Sequence, residues 1–217
     1  MAASGCEVVS NSTPDTLVRV INASSNAGAV DVYAGSTEIA TNVGAPTITN
    51  YAFMTPGSAT LSVHPTGSKT IIAQVNGSFL SSQQHSLYLT NVGAGFQAAL
   101  LTDQNTAPTA GNFAVRFLQQ APITGAVDIY FIPDGTQLTA SKPVLTDCLP
   151  GTISAYLGIP AGTWDLVVVP TGVKTLTGAY VSQPTVYVGG QVRTNLIVDQ
   201  TFEPTPPVSV ITGDDLN

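Results

Sequence analysis

The hydrophobic and polar residues of this chain alternate over short runs. Residues 17–21, 59–64 and 163–169 each place every second side chain on one face, which is the period of a β-strand rather than of a helix. Glycine, proline and asparagine interrupt these runs at intervals of about 8–12 residues. Residues 78–92, a long stretch without glycine or proline, show no helical stripe. The pattern predicts an all-β protein with a sandwich of short strands.

The chain contains this pattern twice in tandem. The matching segments are residues 19–33 with 116–130, 65–70 with 170–175, and 100–104 with 196–200. Each copy spans about 95 residues, which is enough for one two-layer core. We therefore predict two antiparallel β-sandwiches in tandem.

The composition along the chain divides it into five segments. They are a flexible tether at residues 1–16, a first sandwich at 17–105, a linker at 106–112, a second sandwich at 113–203 and a proline-rich, acidic tail at 204–217. Because the linker is short, we expect the sandwiches to lie end to end with limited freedom. Within the tail, residues 208–211 are apolar enough either to add an edge strand or to remain unpaired.

The composition also excludes several classes of protein. Only 9% of the 217 residues are charged, and a net charge of −7 argues against an electrostatic nucleic-acid binder. No apolar run of about 18 residues predicts a membrane-spanning helix. His64 and His85 lack metal-ligand spacing, so we expect neither a metal nor another cofactor and place both on strand surfaces. The sequence has neither a Gly-x-Ser-x-Gly nor a Gly-x-x-x-x-Gly-Lys motif, and we expect no enzymatic activity.

An arginine and an aspartate recur at equivalent places in the two copies. Arg19 precedes Asp31 by the same spacing as Arg116 precedes Asp128, in a chain with only six basic residues. We predict that each pair is a structural ion pair that also holds the turn after Asn22 or its equivalent. An unpaired buried charge costs about 3–5 kcal/mol, which favours this interpretation. The alternative is a ligand contact that is made twice.

Aromatic residues offer a second candidate site. Tyr51, Tyr156 and Trp164 could form a platform on which sugar rings stack, if they are exposed on one sheet face. Aromatic residues on strands more often pack in the core or across strands, and we favour that role.

The N-terminal segment suggests a way of attaching the protein to a membrane. Ser4-Gly5-Cys6 resembles the end of a bacterial lipobox, in which the cysteine becomes lipid-modified after signal-peptide cleavage. Cys6 is therefore a candidate lipidation site, and the alternative is that these residues have no function. A disulfide between Cys6 and Cys148 would require this segment to fold back on the second copy, and the sequence leaves that pairing open.

Residues 19–33 resemble the opening of the family known as domain of unknown function 4397, whose pattern is roughly R-V-x-H-A-S-P-D-A-P-A-V-D-V-Y. Residues 126–130 repeat the end of that pattern, and residues 159–172 are similar to the family's LPAGTYTVEVRPAGT stretch. The histidine of the pattern is Asn22 in the first copy and Gln119 in the second. The resemblance implies secreted or surface-attached bacterial proteins of immunoglobulin- or transthyretin-like shape, and it implies no enzymatic activity.

Together these features predict a non-enzymatic structural or adhesive module that is secreted or lies in the bacterial cell envelope. Two alternatives are a carbohydrate-binding module with exposed aromatic residues and a subunit that self-assembles into filaments or a surface layer. The expected partners are a cell-surface polysaccharide, another protein or a second copy of the chain. We expect contact with a membrane only through a lipid anchor at Cys6, and none with nucleic acid.

Overall fold

The computed structural model describes residues 14–93, 95–200 and 205–216. Within these ranges the regular elements are 18 β-strands and a short 3-10 helix at Leu138–Ala140. None of these residues belongs to a helix long and apolar enough to cross a membrane. The prediction of an all-β protein is confirmed.

The strands form two series, which we call repeat 1 (residues 16–103) and repeat 2 (residues 112–216). The strands of repeat 1 are β1 (Thr16–Asn22), β2 (Val30–Ala34), β3 (Thr37–Val43), β4 (Thr47–Ile48), β5 (Ala52–Met54), β6 (Gly57–Pro65), β7 (Ala73–Phe79), β8 (Gln84–Thr90) and β9 (Gln97–Asp103). Those of repeat 2 are β10 (Asn112–Gln120), β11 (Val127–Ile132), β12 (Leu145–Cys148), β13 (Leu157–Pro160), β14 (Gly162–Pro170), β15 (Tyr180–Val181), β16 (Thr185–Tyr187), β17 (Val192–Asp199) and β18 (Val208–Leu216).

Each repeat is a sandwich of two sheets with matching strand order. Repeat 1 has the sheets β4–β1–β8–β9, with β5 also paired to β1, and β3–β2–β6–β7. Repeat 2 has the sheets β13–β10–β17–β18 and β12–β11–β14–β15, with β16 also paired to β14. Among the described strands, β1–β8 and β10–β17 are parallel pairs and the other pairs are antiparallel. The predicted sandwiches are confirmed, and a parallel pair lies at the centre of one sheet in each.

Each sandwich has a hydrophobic core of its own. In repeat 1, Val18 and Val20 of β1 pack with Val63 and Leu87. In repeat 2, the larger side chains include Phe113, which stacks on Tyr187 and meets Phe131 edge to face. Burying such apolar side chains contributes about 1.5–3 kcal/mol each relative to leaving them exposed. The two sandwiches are therefore separately packed units.

The two sandwiches stack face to face. Arg19 and Ile21 of β1 point away from the core of repeat 1, yet they are only 1% and 0% exposed. A sheet buried on both faces needs a covering layer on each side. The outer cover is the equivalent sheet of repeat 2, where Ile21 and Tyr88 pack against Leu118 and Leu196. The predicted end-to-end arrangement is wrong, because the short connection from β9 to β10 joins two facing sheets.

Most of the predicted tail at residues 204–217 is a strand, which agrees with the edge-strand alternative for residues 208–211 and extends it. Val208–Leu216 is the edge strand β18, which pairs with β17 from Val208 opposite Asp199 to Leu216 opposite Val192. The similarity of residues 196–200 to 100–104 placed the last strand too early. In the structure β17 is the counterpart of β8, and β18 is the counterpart of β9.

The predicted ion pair between Arg19 and Asp31 is wrong, and so is its equivalent between Arg116 and Asp128. Asp31 alternates with core residues of β2, so it points outward from the sheet opposite to the one that carries Arg19. Its carboxylate accepts hydrogen bonds from the backbone N–H of Asn42 at 2.8 Å, the backbone N–H of Gly67 at 3.0 Å and the hydroxyl of Thr66 at 3.0 Å.

Asp128 makes the corresponding contacts in repeat 2. It accepts from the backbone N–H of Asp147 at 3.0 Å and of Gly172 at 3.1 Å. Asn42 and Asp147 occupy equivalent positions and both have a positive φ, 51° and 52°, a conformation that asparagine and aspartate tolerate better than most residues. Each aspartate therefore joins a neighbouring strand of its own repeat (β3 or β12) to the turn after another (β6 or β14), instead of pairing with an arginine.

Asn22 and Gln119, at the histidine position of the family pattern, hydrogen-bond to the loop between the first two strands of their repeat. The side-chain amide of Asn22 donates to the carbonyls of Gly28 at 3.0 Å and Val43 at 2.8 Å. The amide of Gln119 donates to the carbonyl of Gly125 at 2.7 Å. Both side chains therefore fasten the segment that leads into the second strand of their repeat.

Replacing Asp31 by asparagine should destabilise repeat 1 at neutral pH. Its backbone hydrogen bonds hold the pKa of Asp31 below the ordinary value of 3.8. That stabilisation is complete above about pH 4 and is lost as the pH falls through the lowered pKa. We expect Asp31→Asn to cost about 1–3 kcal/mol at pH 7 and progressively less in acid, as measured by urea unfolding.

The exposed Glu38 on the neighbouring strand provides the control, and Glu38→Gln should change stability by less than about 0.5 kcal/mol. Asp128→Asn should also destabilise repeat 2 at pH 7, because its carboxylate accepts the corresponding hydrogen bonds. A loss of stability that is the same at pH 7 and at pH 3 would contradict the role of the ionised carboxylate.

Candidate functional site

The most unusual chemistry of the protein lies between the two sandwiches. The strands β1 and β10 each carry one arginine whose neighbours along the strand face the core, so that the arginine itself faces the interface. Arg19 is 1% exposed and Arg116 is 3% exposed. A buried guanidinium requires both a counter-charge and hydrogen-bond acceptors. The residues around each arginine must therefore supply this counter-charge and these acceptors.

Arg19 finds its partners on both sides of the interface. Within repeat 1, Nε donates to the hydroxyl of Ser86 at 2.8 Å. Across the interface, Nη2 donates to the hydroxyl of Thr194 at 3.0 Å and to the carboxylate of Asp215. Nη1 donates to the backbone carbonyl of Asp214 at 3.3 Å. Repeat 2 thus supplies the main counter-charge for the arginine of repeat 1.

Arg116 makes the reciprocal contacts. Its Nε donates to the hydroxyl of Thr194 at 3.0 Å within repeat 2. Its Nη2 donates to the carboxylate of Asp103 and to the hydroxyl of Ser86 at 3.4 Å, both in repeat 1. Each arginine is thus paired with the aspartate of the other repeat, and both share the same two hydroxyl groups.

The aspartate of repeat 1 is held by its own repeat as well. Asp103 accepts hydrogen bonds from the hydroxyls of Tyr51 and Ser86, each at 2.7 Å. The ring of Tyr51 also lies 4.8 Å below the guanidinium carbon of Arg19, within range of a cation–π interaction. Tyr51 therefore contacts both charges of the network.

Repeat 2 has the same arrangement around its aspartate. Asp215 accepts hydrogen bonds from the hydroxyl of Tyr156 at 2.5 Å and from that of Thr194 at 2.7 Å. The ring of Tyr156 lies 4.9 Å from the guanidinium carbon of Arg116. Burial raises the pKa of Asp215, although the positive charge of Arg19 and these hydrogen bonds act in the opposite direction.

We call this group of side chains the arginine network. Its members are Arg19, Tyr51, Ser86 and Asp103 of repeat 1 and Arg116, Tyr156, Thr194 and Asp215 of repeat 2. The two sets are related by an approximate two-fold axis, and their formal charges cancel. Because the donors and acceptors bond mainly to one another, the network is a closed, charge-neutral structure.

A second polar contact joins the sandwiches beyond the apolar part of the interface. The side-chain carbonyl of Gln120 accepts from the hydroxyls of Tyr88 and Thr90, each at 2.7 Å. Burial raises the pKa of Tyr88 to about 12. The interface is therefore anchored by polar groups at both ends of its apolar cluster.

Beside the arginine network lies an open cleft of about 390 Å³. Its lining residues are Arg19, Ile48, Thr49, Asn50, Tyr51, Thr212, Gly213, Asp214, Asp215 and Leu216.

The described residues contain no group of three or more His, Cys, Asp or Glu side chains placed to hold a metal ion.

The histidines lie in different sheets of repeat 1. His64 on β6 is partly buried, and its Nε2 lies 3.0 Å from the hydroxyl of Ser62. His85 on β8 is 2% exposed and packs against Phe79, so its predicted surface position is wrong. Burial lowers the pKa of His85. The alternation of β8 points His85 into the core, because its neighbour Ser86 faces the interface.

The candidate stacking residues do not form a common platform. Tyr51 and Tyr156 are partly buried and belong to the arginine network. Trp164 is partly buried against the core of repeat 2, and its Nε1 donates to the carbonyl of Pro160 at 2.9 Å. The candidate lipidation site, Cys6, lies outside the described residues.

Sequence reasoning missed four members of the arginine network. They are Ser86, Asp103, Thr194 and Asp215. Asp103 and Asp215 are single acidic residues near the ends of apolar strands, where capping of a turn is their usual role. Cys148 is a buried thiol in the core of repeat 2, 5% exposed, with no disulfide partner among the described residues. The sequence signal for the network was the placement of both arginines within otherwise apolar strands.

The fold and the network define a two-repeat β-sandwich protein whose repeats pack through a buried ionic interface. The family model described as Domain of unknown function (DUF4397) matches residues 16–130, and the chain belongs to this family. The matched region contains the whole of repeat 1, strand β10 and most of strand β11. No curated protein matches the chain.

One solved structure to which the chain is similar is the crystal structure of CBMbc (family CBM26) from Eubacterium rectale Amy13K in complex with maltoheptaose. The sequences are 8% identical, the TM-score is 0.27, and the match covers 91% of this chain and 96% of that chain. Similarity at this level carries no inference about a ligand of this protein.

Removing one charge of the arginine network should be costly. Asp215→Asn leaves the buried guanidinium of Arg19 without its main counter-charge, and we expect a loss of about 3–5 kcal/mol in the free energy of unfolding. The neighbouring Asp214 pairs with Arg193 at 3.0 Å through a side chain that is 46% exposed. Asp214→Asn should therefore lower the free energy of unfolding by only about 0–1 kcal/mol. Urea unfolding of both variants measures the two losses. Equal losses for the two variants would contradict the assigned role of Asp215.

Proposed function

We propose that the protein is a non-enzymatic structural module of the bacterial cell envelope or of a secreted assembly, in which repeats 1 and 2 act as one rigid body. The observation that carries the proposal is the arginine network. Separating the repeats would leave Arg19 and Arg116 without the aspartates that balance them, namely Asp215 and Asp103. Separation would also expose the apolar cluster around Ile21 and Leu118 to water and break the charge-assisted hydrogen bonds of the network, and both losses oppose hinge motion between the sandwiches.

The use of the polar groups supports a non-catalytic role. General acid–base or nucleophilic catalysis requires titratable groups that can reach a substrate. The buried carboxylates of Asp103 and Asp215 are occupied by arginine and hydroxyl donors. These carboxylates serve to join the two sandwiches.

The arrangement of the strands supports the display of loops at one end. The first and last described strands, β1 and β18, meet at the contact between Arg19 and Asp215. Both β1 and β10 lead from the network to the apolar cluster, so that the loops at residues 23–29 and 121–126 lie at the other end. Strand β1 therefore begins at the end of the module opposite these loops. Ile123, which is 81% exposed, lies in one of them.

The location and the partners belong to the proposal. The resemblance to secreted and surface-attached proteins and the small number of charged residues support a place outside the cytoplasm. A cell-surface polysaccharide or another protein remains the expected partner. Carbohydrate binding and self-assembly remain alternatives. The bonds of Tyr51 and Tyr156 within the arginine network argue against their use as stacking residues for a sugar.

Cell fractionation of the source bacterium tests the location. We expect the native protein in the membrane fraction and accessible to protease added to intact cells. Cys6→Ser should release it into the soluble extracellular or periplasmic fraction, because the lipid anchor cannot form. Cys148→Ser, which alters a buried thiol, is the matched control and should leave the protein attached. Recovery of the native protein from the cytosol would contradict the proposal.

A further inference from the structure

We propose that the face joining the sandwiches is a selective docking surface, on which repeat 1 accepts repeat 2, from its own chain or from a second copy, and rejects another repeat 1. The proposal concerns partner choice and does not depend on where the protein is located. It rests on a position of the interface at which the two repeats carry different residues.

The arginine network alone cannot discriminate between partners. Each repeat contributes one arginine, one tyrosine, one hydroxyl residue and one aspartate to the network. Two copies of repeat 1 could therefore place Arg19 of each against Asp103 of the other, just as Arg19 now meets Asp215. Selectivity requires a feature that differs between the repeats.

That feature is the pair of residues Leu101 and Gly213. Leu101 of β9 is paired with Ser86, and Gly213 of β18 is paired with Thr194, which is the counterpart of Ser86. The two residues thus occupy the same place in their repeats. Leu101 packs against the apolar cluster of the interface, whereas Gly213 has no side chain.

The absence of a side chain at Gly213 is required by what faces it. A Cβ atom added there would lie 2.7 Å from Cγ2 of Ile48 and 2.9 Å from Nη1 of Arg19. Ile48 is fixed in β4, which pairs with β1. Arg19 is fixed by its bonds to Ser86 and across the interface. A side chain at this position would therefore displace Ile48 or Arg19 of repeat 1.

A second repeat 1 would bring Leu101 to this position. Its Cβ atom would meet Ile48 and Arg19 at the same short distances, which opposes closure of the buried ion pair. Overpacking of this kind is destabilising because Ile48 or Arg19 would have to leave its present position. The partner that fits the β1–β8–β9 face is therefore a sandwich with glycine at this position, which repeat 2 provides.

The first experiment measures docking within the existing protein. A protease site is introduced into residues 104–111, the full chain is folded and cleaved, and dissociation of the two halves is followed by dilution. We expect the halves of the otherwise native chain to remain together at micromolar concentration. Gly213→Ala and Gly213→Leu should weaken the association by about tenfold or more, with the larger effect for leucine.

A double-mutant cycle tests the steric cause. Ile48→Ala removes the nearest atom, so Gly213→Ala should have a smaller effect in the Ile48→Ala background than in the native one. Separation of the native halves at micromolar concentration would overturn the docking surface. Native affinity of the Gly213→Ala and Gly213→Leu halves would overturn the role of Gly213.

The second experiment tests the choice of partner. Two cleaved chains, one with a tag on repeat 1, are mixed at the dilution that separates half of the complex and are then concentrated. Capture of the tag should retrieve untagged repeat 2 and no untagged repeat 1. Retrieval of repeat 1 in an amount comparable to repeat 2, or of no untagged repeat 2, would overturn the proposal.

Discussion

Two buried ion pairs, Arg19 with Asp215 and Arg116 with Asp103, hold the structure of this protein together. Each pair crosses the boundary between the repeats, so neither arginine is balanced mainly by its own sandwich. Taking a charge out of water costs several kcal/mol unless a partner and hydrogen bonds replace the water. The two sandwiches have separate cores, but each supplies the carboxylate that the buried arginine of the other one requires.

Much of the fold follows from alternation in the sequence, and the same rule could have corrected the predicted ion pairs. Val18 and Val20 point into the core, so Arg19 between them must point out of β1. Asp31 lies between core residues of β2 in the same way, but β2 belongs to the other sheet. The two charges thus lie on opposite outer faces of one sandwich. Equal spacing in both copies reflected the duplication and carried no information about contact.

The partners of the arginines were harder to predict because they come from the other repeat. Asp215 lies in β18, which was not predicted as the last strand of repeat 2. Residues 196–200 resemble residues 100–104, but their strands, β17 and β9, are not counterparts. Nothing in the linear pattern states which face of one sandwich meets which face of the next. That information lies in side chains buried on the side away from their own core, which only the packed structure identifies.

Nitrogen-15 relaxation of the intact chain tests most directly whether the network makes one body of the two repeats. The account predicts a single rotational correlation time for the amides of repeat 1 and repeat 2, as expected for one particle of 22.3 kDa. Two shorter and independent correlation times, as for sandwiches joined only by a linker, would contradict it.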